Sequence, residues 1–175
     1  MFSNPQNNID QFGVEVGEKV VDIGAGSGFY AIALATAVGR TGKVFAIEIQ
    51  KDLLERLRNN AYKAGLFNIE AIWGDVERIG GTKLQDNFVS KIVVANILFQ
   101  ISDKASFVKE VRRVLRPSGK LLVIDWADSF GGTGPQTTDV VAKETARKIF
   151  SEAGFDFERE IEAGDHHYGL VFRRP

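Results

Sequence analysis

The stretch of this chain best suited to chemistry is Val20 to Tyr30, VVDIGAGSGFY, where Gly24, Gly26 and Gly28 take the spacing GxGxG between a strand-like and a helix-like run. Glycines at such a junction let the chain turn tightly and let a ligand approach the backbone, because no Cβ intervenes. A helix beginning there offers free N–H groups and the positive end of its dipole, a setting for a carboxylate or a phosphate. A nicotinamide-dinucleotide fingerprint needs its third glycine one residue later. That residue is Phe29, whose bulk is expected to obstruct close helix–strand packing. Asp22, just before the loop, would repel a pyrophosphate and attract an ammonium group. Glu48 ends the next strand, about 20 residues beyond the loop, where an acid reaches the two hydroxyls of a ribose. Asp75, in the WGDV stretch, can accept a hydrogen bond from an adenine amino group, and Ile49 and Val76 can sandwich the flat base. Taken alone, Asp75 could instead cap a helix. Asp22, Glu48, Asp75 and Asn96 all fall at strand ends, and open parallel sheets bind ligands outside the carboxyl ends of their strands.

The elements that must position these residues alternate. Lys19 to Ile23, Lys43 to Ile47, Ile69 to Trp73, Phe88 to Ala95 and Lys120 to Asp125 read as strands. Phe29 to Val38 is almost wholly apolar and reads as a helix packed on a sheet. The next helix places Leu53, Leu54, Leu57, Ala61 and Ala64 on one face and stops at Gly65. Ser102 is placed to cap a helix with Phe107, Val108, Val111, Val114 and Leu115 inward, and Pro117 with Gly119 turns the chain into the fifth strand. After a glycine-rich loop over Gly131 to Pro135 comes a helix facing inward with Val141, Thr145, Ala146, Ile149 and Ala153. Phe155 to Ile161 and His167 to Phe172 close the chain as a hairpin turning at Gly164 and Asp165. This alternation predicts an α/β fold, a parallel sheet with helices on both faces.

The pieces VDIGAGSG, VFAIE, GDVE, VVANILF and VRRVLRPSGKLLVIDW resemble, in order and over nearly the whole chain, the class I S-adenosylmethionine (SAM) dependent methyltransferases. The branch holding the ubiquinone and menaquinone C-methyltransferases is the most similar, and the ending HHYGLVFRRP fits it too. The resemblance implies a three-layer Rossmann-like fold whose seven-stranded sheet has the order 3-2-1-4-5-7-6, with only the last strand antiparallel. It also implies the contacts to SAM and to its product S-adenosylhomocysteine. The loop Gly24, Ala25, Gly26 and Gly28 would lie against the methionine part, with Asp22 at its amino group and Asn96 beside the methyl group. Glu48 would hold the ribose, with Ile49, Val76 and Asp75 around adenine. In that topology His166 and His167 begin the antiparallel strand near the acceptor side. They and Asp125 are the candidate general bases; an exposed hairpin residue with a packed partner is the plainer reading of the histidines. Trp126, Phe12, Tyr30 and Tyr168 are candidate pocket walls, and Arg112, Arg113 and Arg116 read as a solvated helix face.

Composition narrows the acceptor. The chain has 175 residues, no cysteine and a net charge of −1, from 22 basic and 23 acidic side chains. This balance argues against a dedicated nucleic-acid protein without excluding nucleic acid. Lack of cysteine removes disulfides, thiolate metal sites and covalent cytosine chemistry, and no metal site is expected. Asn96 to Phe99 reads NILF, not the NPPY type of many nucleic-acid amino-methyltransferases. A small-molecule acceptor is therefore expected. The start MFSNPQNNIDQFG does not resemble a signal peptide and no apolar run spans a membrane, so a cytoplasmic protein is expected. One domain over 1–175 is expected, with 1–13 and the Asp128 to Thr138 loop as the segments able to cover the acceptor. So little cover leaves the acceptor pocket open, completed by a second copy in a homodimer, or shaped for a large substrate. A SAM-binding module without catalysis is the alternative function.

Overall fold

The computed structural model describes residues 3–175; residues 1 and 2 of the expected covering segment 1–13 lie outside the described residues. The rest of that segment forms helix α1 (Pro5–Phe12). Asn4 caps it by accepting from the Asn7 N–H at 3.1 Å, Pro5 starts it, and Gly13 ends it with a left-handed φ of 77°. The order then runs β1 (Lys19–Ile23), α2 (Phe29–Val38), β2 (Lys43–Glu48), α3 (Lys51–Lys63), β3 (Ile69–Trp73), β4 (Val89–Ala95), α4 (Lys104–Val114), β5 (Leu115–Trp126), α5 (Lys143–Glu152), β6 (Asp156–Ile161) and β7 (His167–Arg173).

The sheet has the order β3-β2-β1-β4-β5-β7-β6, and β7 alone runs antiparallel to its neighbours. Both the topology and the direction of the last strand are those implied by the family resemblance. Period-2 alternation sends side chains to two cores. Val21, Ile23, Val94, Val123 and Leu170 pack with Phe107 and Val111 of α4 and Phe150 of α5. Val20, Ala46, Val93, Ile124 and Val171 pack with Ile9 of α1, Leu34 of α2 and Leu57 of α3. Helix α2 is apolar all round because it is covered on both sides, by the sheet and by α1.

Several details differ from the sequence expectation. The α4 cap is Asp103, which accepts from Ser106 N–H at 3.0 Å, not Ser102. The turn at Pro117 and Gly119 is absorbed into β5 as a bulge, because Val89 pairs with Leu115 while Lys91 pairs with Lys120; Ser118 sits there at φ 61°. Leu115 therefore belongs to the strand. Thr145 is exposed, and α5 buries Phe150 instead. Arg113 is no solvated side chain: it bonds Glu110 at 2.8 Å and Asp86 at 2.6 Å. Buried Glu110 in turn accepts from Gly80 N–H, Thr82 N–H and the Thr82 hydroxyl, tying the loop after β3 to α4. Its carboxyl is held down to about 2: burial opposes this, and the Arg113 and Thr82 hydrogen bonds outweigh it.

Candidate cofactor site

A cavity of about 650 Å³ opens at the carboxyl ends of β1, β2 and β4 and the loop after β3. It is lined by Asp22, Gly24, Ala25, Gly26, Glu48, Ile49, Asp75, Val76 and Asn96 together, nine of the ten residues expected to meet one ligand. Gly28 is absent from the lining, and its role is different. Its φ is 99°, and a Cβ there would lie 2.8 Å from Leu57 Cγ, so Gly28 allows α2 to pack on α3. A Cβ on Gly24 would strike Ile97, whereas one on Gly26 would meet nothing within 4 Å. Gly26 is thus the glycine whose bareness serves open space. Phe29 does not obstruct packing, contrary to expectation. It is 72% exposed, turns outward and lines the cavity.

The loop N–H groups expected to meet an anion are already used. Gly24 and Ala25 donate to Ile47 O at 2.9 Å each, Gly28 to Ala25 O at 2.9 Å, and Gly26 to Glu48 Oε2 at 2.8 Å. The other Glu48 oxygen accepts from Gln50 N–H at 2.8 Å. Glu48 therefore anchors the glycine loop to β2 while each of its oxygens keeps acceptor capacity toward the cavity. Asp22 is 1% exposed, and its Oδ2 has no hydrogen-bond partner. Burial pushes its carboxyl up to about 7; the Ala31 N–H at the start of α2 opposes this and Glu48 adds to it. Asn96, in left-handed backbone at φ 58°, has its Oδ1 buried and unpartnered. Two unpartnered buried acceptors beside several acids make the site one for a donor-rich, cationic group.

Asp75 is not a helix cap. It accepts from Glu77 N–H at 3.1 Å, closing a short turn, and pairs with Arg78 at 3.0 Å. Tyr30, Ser3 and Pro5 also line the cavity, two of them from the start of the described chain. The sequence signal for that wall was the Asn4-Pro5 cap and the Gly13 stop, which mark a helix.

The three candidate bases lie elsewhere. Asp125 is fully buried and accepts from Leu98 N–H and Trp126 N–H at 2.8 Å each; burial raises its carboxyl to about 6 against those hydrogen bonds. It holds the short 3-10 turn that follows β4 and does not line this cavity. His166 pairs with Asp128 at 2.9 Å and stacks on Phe130. His167 is buried against Trp126, with ring centroids 4.3 Å apart. Tyr168 is buried and donates to Val141 O at 2.9 Å, and Phe12 is core. Among the described residues no group of three His, Asp or Glu is placed to hold a metal ion. No helix among them is long and apolar enough to cross a membrane.

Residues 15–161 match the family described as a methyltransferase domain. The chain is 32% identical over 120 residues to the ubiquinone/menaquinone biosynthesis C-methyltransferase UbiE of Haemophilus ducreyi, a match covering 68% of this chain and 45% of that protein. It thus spans about half the length of that relative. A solved structure of a SAM dependent methyltransferase from Aquifex aeolicus superposes with a TM-score of 0.90 at 30% identity, covering 99% of this chain and 91% of that one. The [4+2]-cyclase SpnF shares the fold, with a TM-score of 0.82 at 15% identity over 98% of this chain and 80% of its own.

Proposed function

The chain belongs to the class I SAM-dependent methyltransferases, and from that premise we propose that its first cavity holds SAM and that it transfers the methyl group to a small-molecule acceptor. The observation that carries this reading is the pair of buried, unpartnered acceptors, Asp22 Oδ2 and Asn96 Oδ1, in the lining of one cavity. An ammonium group has three N–H donors and the positive charge those oxygens lack. The methionine end of the cofactor fits them, as a phosphate would not. Glu48, fixed by two backbone N–H groups, turns its remaining lone pairs to the ribose hydroxyls. Ile49 and Val76 flank adenine, and Asp75, held by Arg78, accepts from its amino group. Gly26 leaves the space that any side chain would fill.

When bound, the cofactor supplies an activated methyl on a sulfonium, so transfer is an in-line displacement in which the acceptor's nucleophile gains the methyl carbon and the electron pair stays on sulfur. The protein's contribution is position and exclusion of water. The whole 1–175 chain acts as one methyltransferase domain with its N-terminal segment covering the acceptor side, in a cytoplasmic setting. Curated relatives named for ubiquinone/menaquinone biosynthesis support a small organic acceptor. A second reading, SAM binding without catalysis, is favoured by one observation: Asp125, His166 and His167 are all absent from the lining of this cavity.

Calorimetric titration with SAM, S-adenosylhomocysteine and NAD tests the cofactor. Both adenosyl ligands should bind at micromolar levels, NAD should not, and Glu48→Ala should weaken binding about a hundredfold. Preference for NAD, or no adenosyl binding, would overturn the reading.

A further inference from the structure

A second cavity, of about 730 Å³, also borders α1. Ser3 and Pro5 line the first cavity, whereas Asn4, Asn7 and Asn8 line the second. The sheet contributes Ile161 from β6 and His167, Tyr168 and Gly169 from β7. Three polar atoms of this lining are buried without partners. His167 is 8% exposed, and neither ring nitrogen has a hydrogen-bond partner. Asn8 is fully buried; its Nδ2 donates to Ser3 Oγ at 3.0 Å and to Tyr30 OH at 2.8 Å. Those two bonds fix the amide and leave Oδ1 with no donor. Buried polar atoms without partners are rare and call for an occupant.

We propose that this second cavity is a site for a second ligand beside SAM, a neutral small molecule whose hydroxyl or amide groups satisfy Asn8 Oδ1 and the imidazole of His167; this rests on the first cavity being the SAM site. Burial lowers the His167 pKa, so near pH 7 the ring is neutral and offers one donor and one acceptor. The ring is also held in place. Trp126 packs on it at a tilt of 39° with ring centroids 4.3 Å apart, and loop residue Gly134 closes over the indole so tightly that a Cβ would lie 2.6 Å from it. Around the cavity stand Glu160 and Glu162 against one lysine, Lys143, which already pairs with Glu160 at 3.0 Å. That balance disfavours a carboxylate or phosphate ligand. The volume is that of an ordinary small-molecule pocket.

Asn8 also links the two cavities. It lines the second, and both side chains it donates to, Ser3 and Tyr30, line the first. These three residues form the shared wall. A ligand bonded to Asn8 acts directly on the cluster that separates the two cavities.

The test uses the whole protein saturated with S-adenosylhomocysteine, so that the first cavity is filled. Phenol, benzamide, toluene and benzoate are titrated while NMR follows the His167 ring and the Asn8 side-chain amide. Phenol and benzamide should bind saturably and shift both signals; toluene and benzoate should not. Asn8→Ala and His167→Phe should each weaken phenol or benzamide about tenfold, the effect of losing a buried hydrogen bond. His167→Gln should restore part of the loss, and His167→Phe should leave S-adenosylhomocysteine affinity unchanged. Thermal unfolding identifies a variant that fails to fold, and the remaining variants then carry the comparison. Equal binding of toluene, or no saturable shift with S-adenosylhomocysteine bound, would mean that the cavity holds ordered water only and would overturn the proposal. Failure of the wild-type protein to bind S-adenosylhomocysteine would instead sink the reading of the first cavity, and this proposal with it.

Discussion

The two cavities share helix α1 and are built in opposite ways. The charged groups of the first sit at strand ends or in the loops that follow them directly, and all are acids: Asp22, Glu48, Asp75 and Glu77. The second is closed by segments far apart in the chain, Asn4 to Asn8 on one side and Ile161 to Gly169 on the other, and its buried polar atoms are neutral. The first is therefore suited to a cationic nucleoside and the second to an uncharged ligand. A cavity whose polar groups sit at successive strand ends takes its local shape from the turn that follows each strand. One whose parts meet only across the finished sheet depends on the packing of the whole chain.

The contrast breaks most visibly at the glycine loop, where ligand space and packing are separable residue by residue. Gly26→Leu projects into open space, so S-adenosylhomocysteine affinity should fall at least about a hundredfold while stability falls by only about 1 kcal/mol, the cost of the left-handed backbone. Gly28→Ala should do the reverse. Its Cβ meets Leu57 at φ 99°, so urea denaturation should show a loss of about 2–3 kcal/mol. Normal ligand binding by Gly26→Leu would mean that the loop serves packing throughout, and the first cavity would lose its main distinction.

That same loop explains what could be read in the sequence. Gly24, Gly26 and Gly28 mark a strand–turn–helix junction through backbone freedom alone, and the strands on either side carry the β-branched runs that fix the sheet. Nine expected residues consequently meet in one cavity. Their hydrogen bonds were not legible, because three N–H groups of the loop go to β2, those of Gly24 and Ala25 to Ile47 and that of Gly26 to Glu48, more than twenty positions away. Nor was Gly28's partner, since only the packed α3 brings Leu57 to it. The second cavity was invisible for the same reason. His167 was singled out as a strand-end histidine, but its contact with Trp126 and the Asn8 cluster require β5, β7 and α1 to be assembled first.

Asp22 sharpens the electrostatic side of the comparison. Its folded pKa of about 7 lies above the unfolded value, so the native state holds that proton more tightly. Its contribution to stability is present at low pH and is lost as pH rises through about 7, the reverse of a salt-bridged aspartate. The stability of the wild type minus that of Asp22→Asn should therefore fall between about pH 4 and about pH 7 in denaturation without ligand. Asp125, raised to about 6, slopes the same way in both proteins and cancels in the difference. Ligand binding should follow the ionised form. Wild-type affinity for S-adenosylhomocysteine should rise up to about tenfold between about pH 6 and about pH 8, and that of Asp22→Asn should stay flat. Equal slopes in the two proteins would remove Asp22 from the ammonium contact.

The smallest effect is expected at the wall itself. Tyr30 lines the first cavity, yet its hydroxyl is directed to Asn8 and Ser3, at 2.8 and 3.0 Å, not to open space. Tyr30→Phe keeps the ring in the wall of the first cavity and removes the hydroxyl, so Asn8 Nδ2 retains only Ser3. Stability should fall by about 1 kcal/mol, the net worth of one buried hydrogen bond, and S-adenosylhomocysteine affinity should stay within about twofold. The loosened Asn8 amide should show faster exchange of its side-chain protons, because one of its two anchors is gone. A cofactor affinity that falls as far as stability does would assign the hydroxyl to the first cavity alone, and the two cavities would then have separate walls.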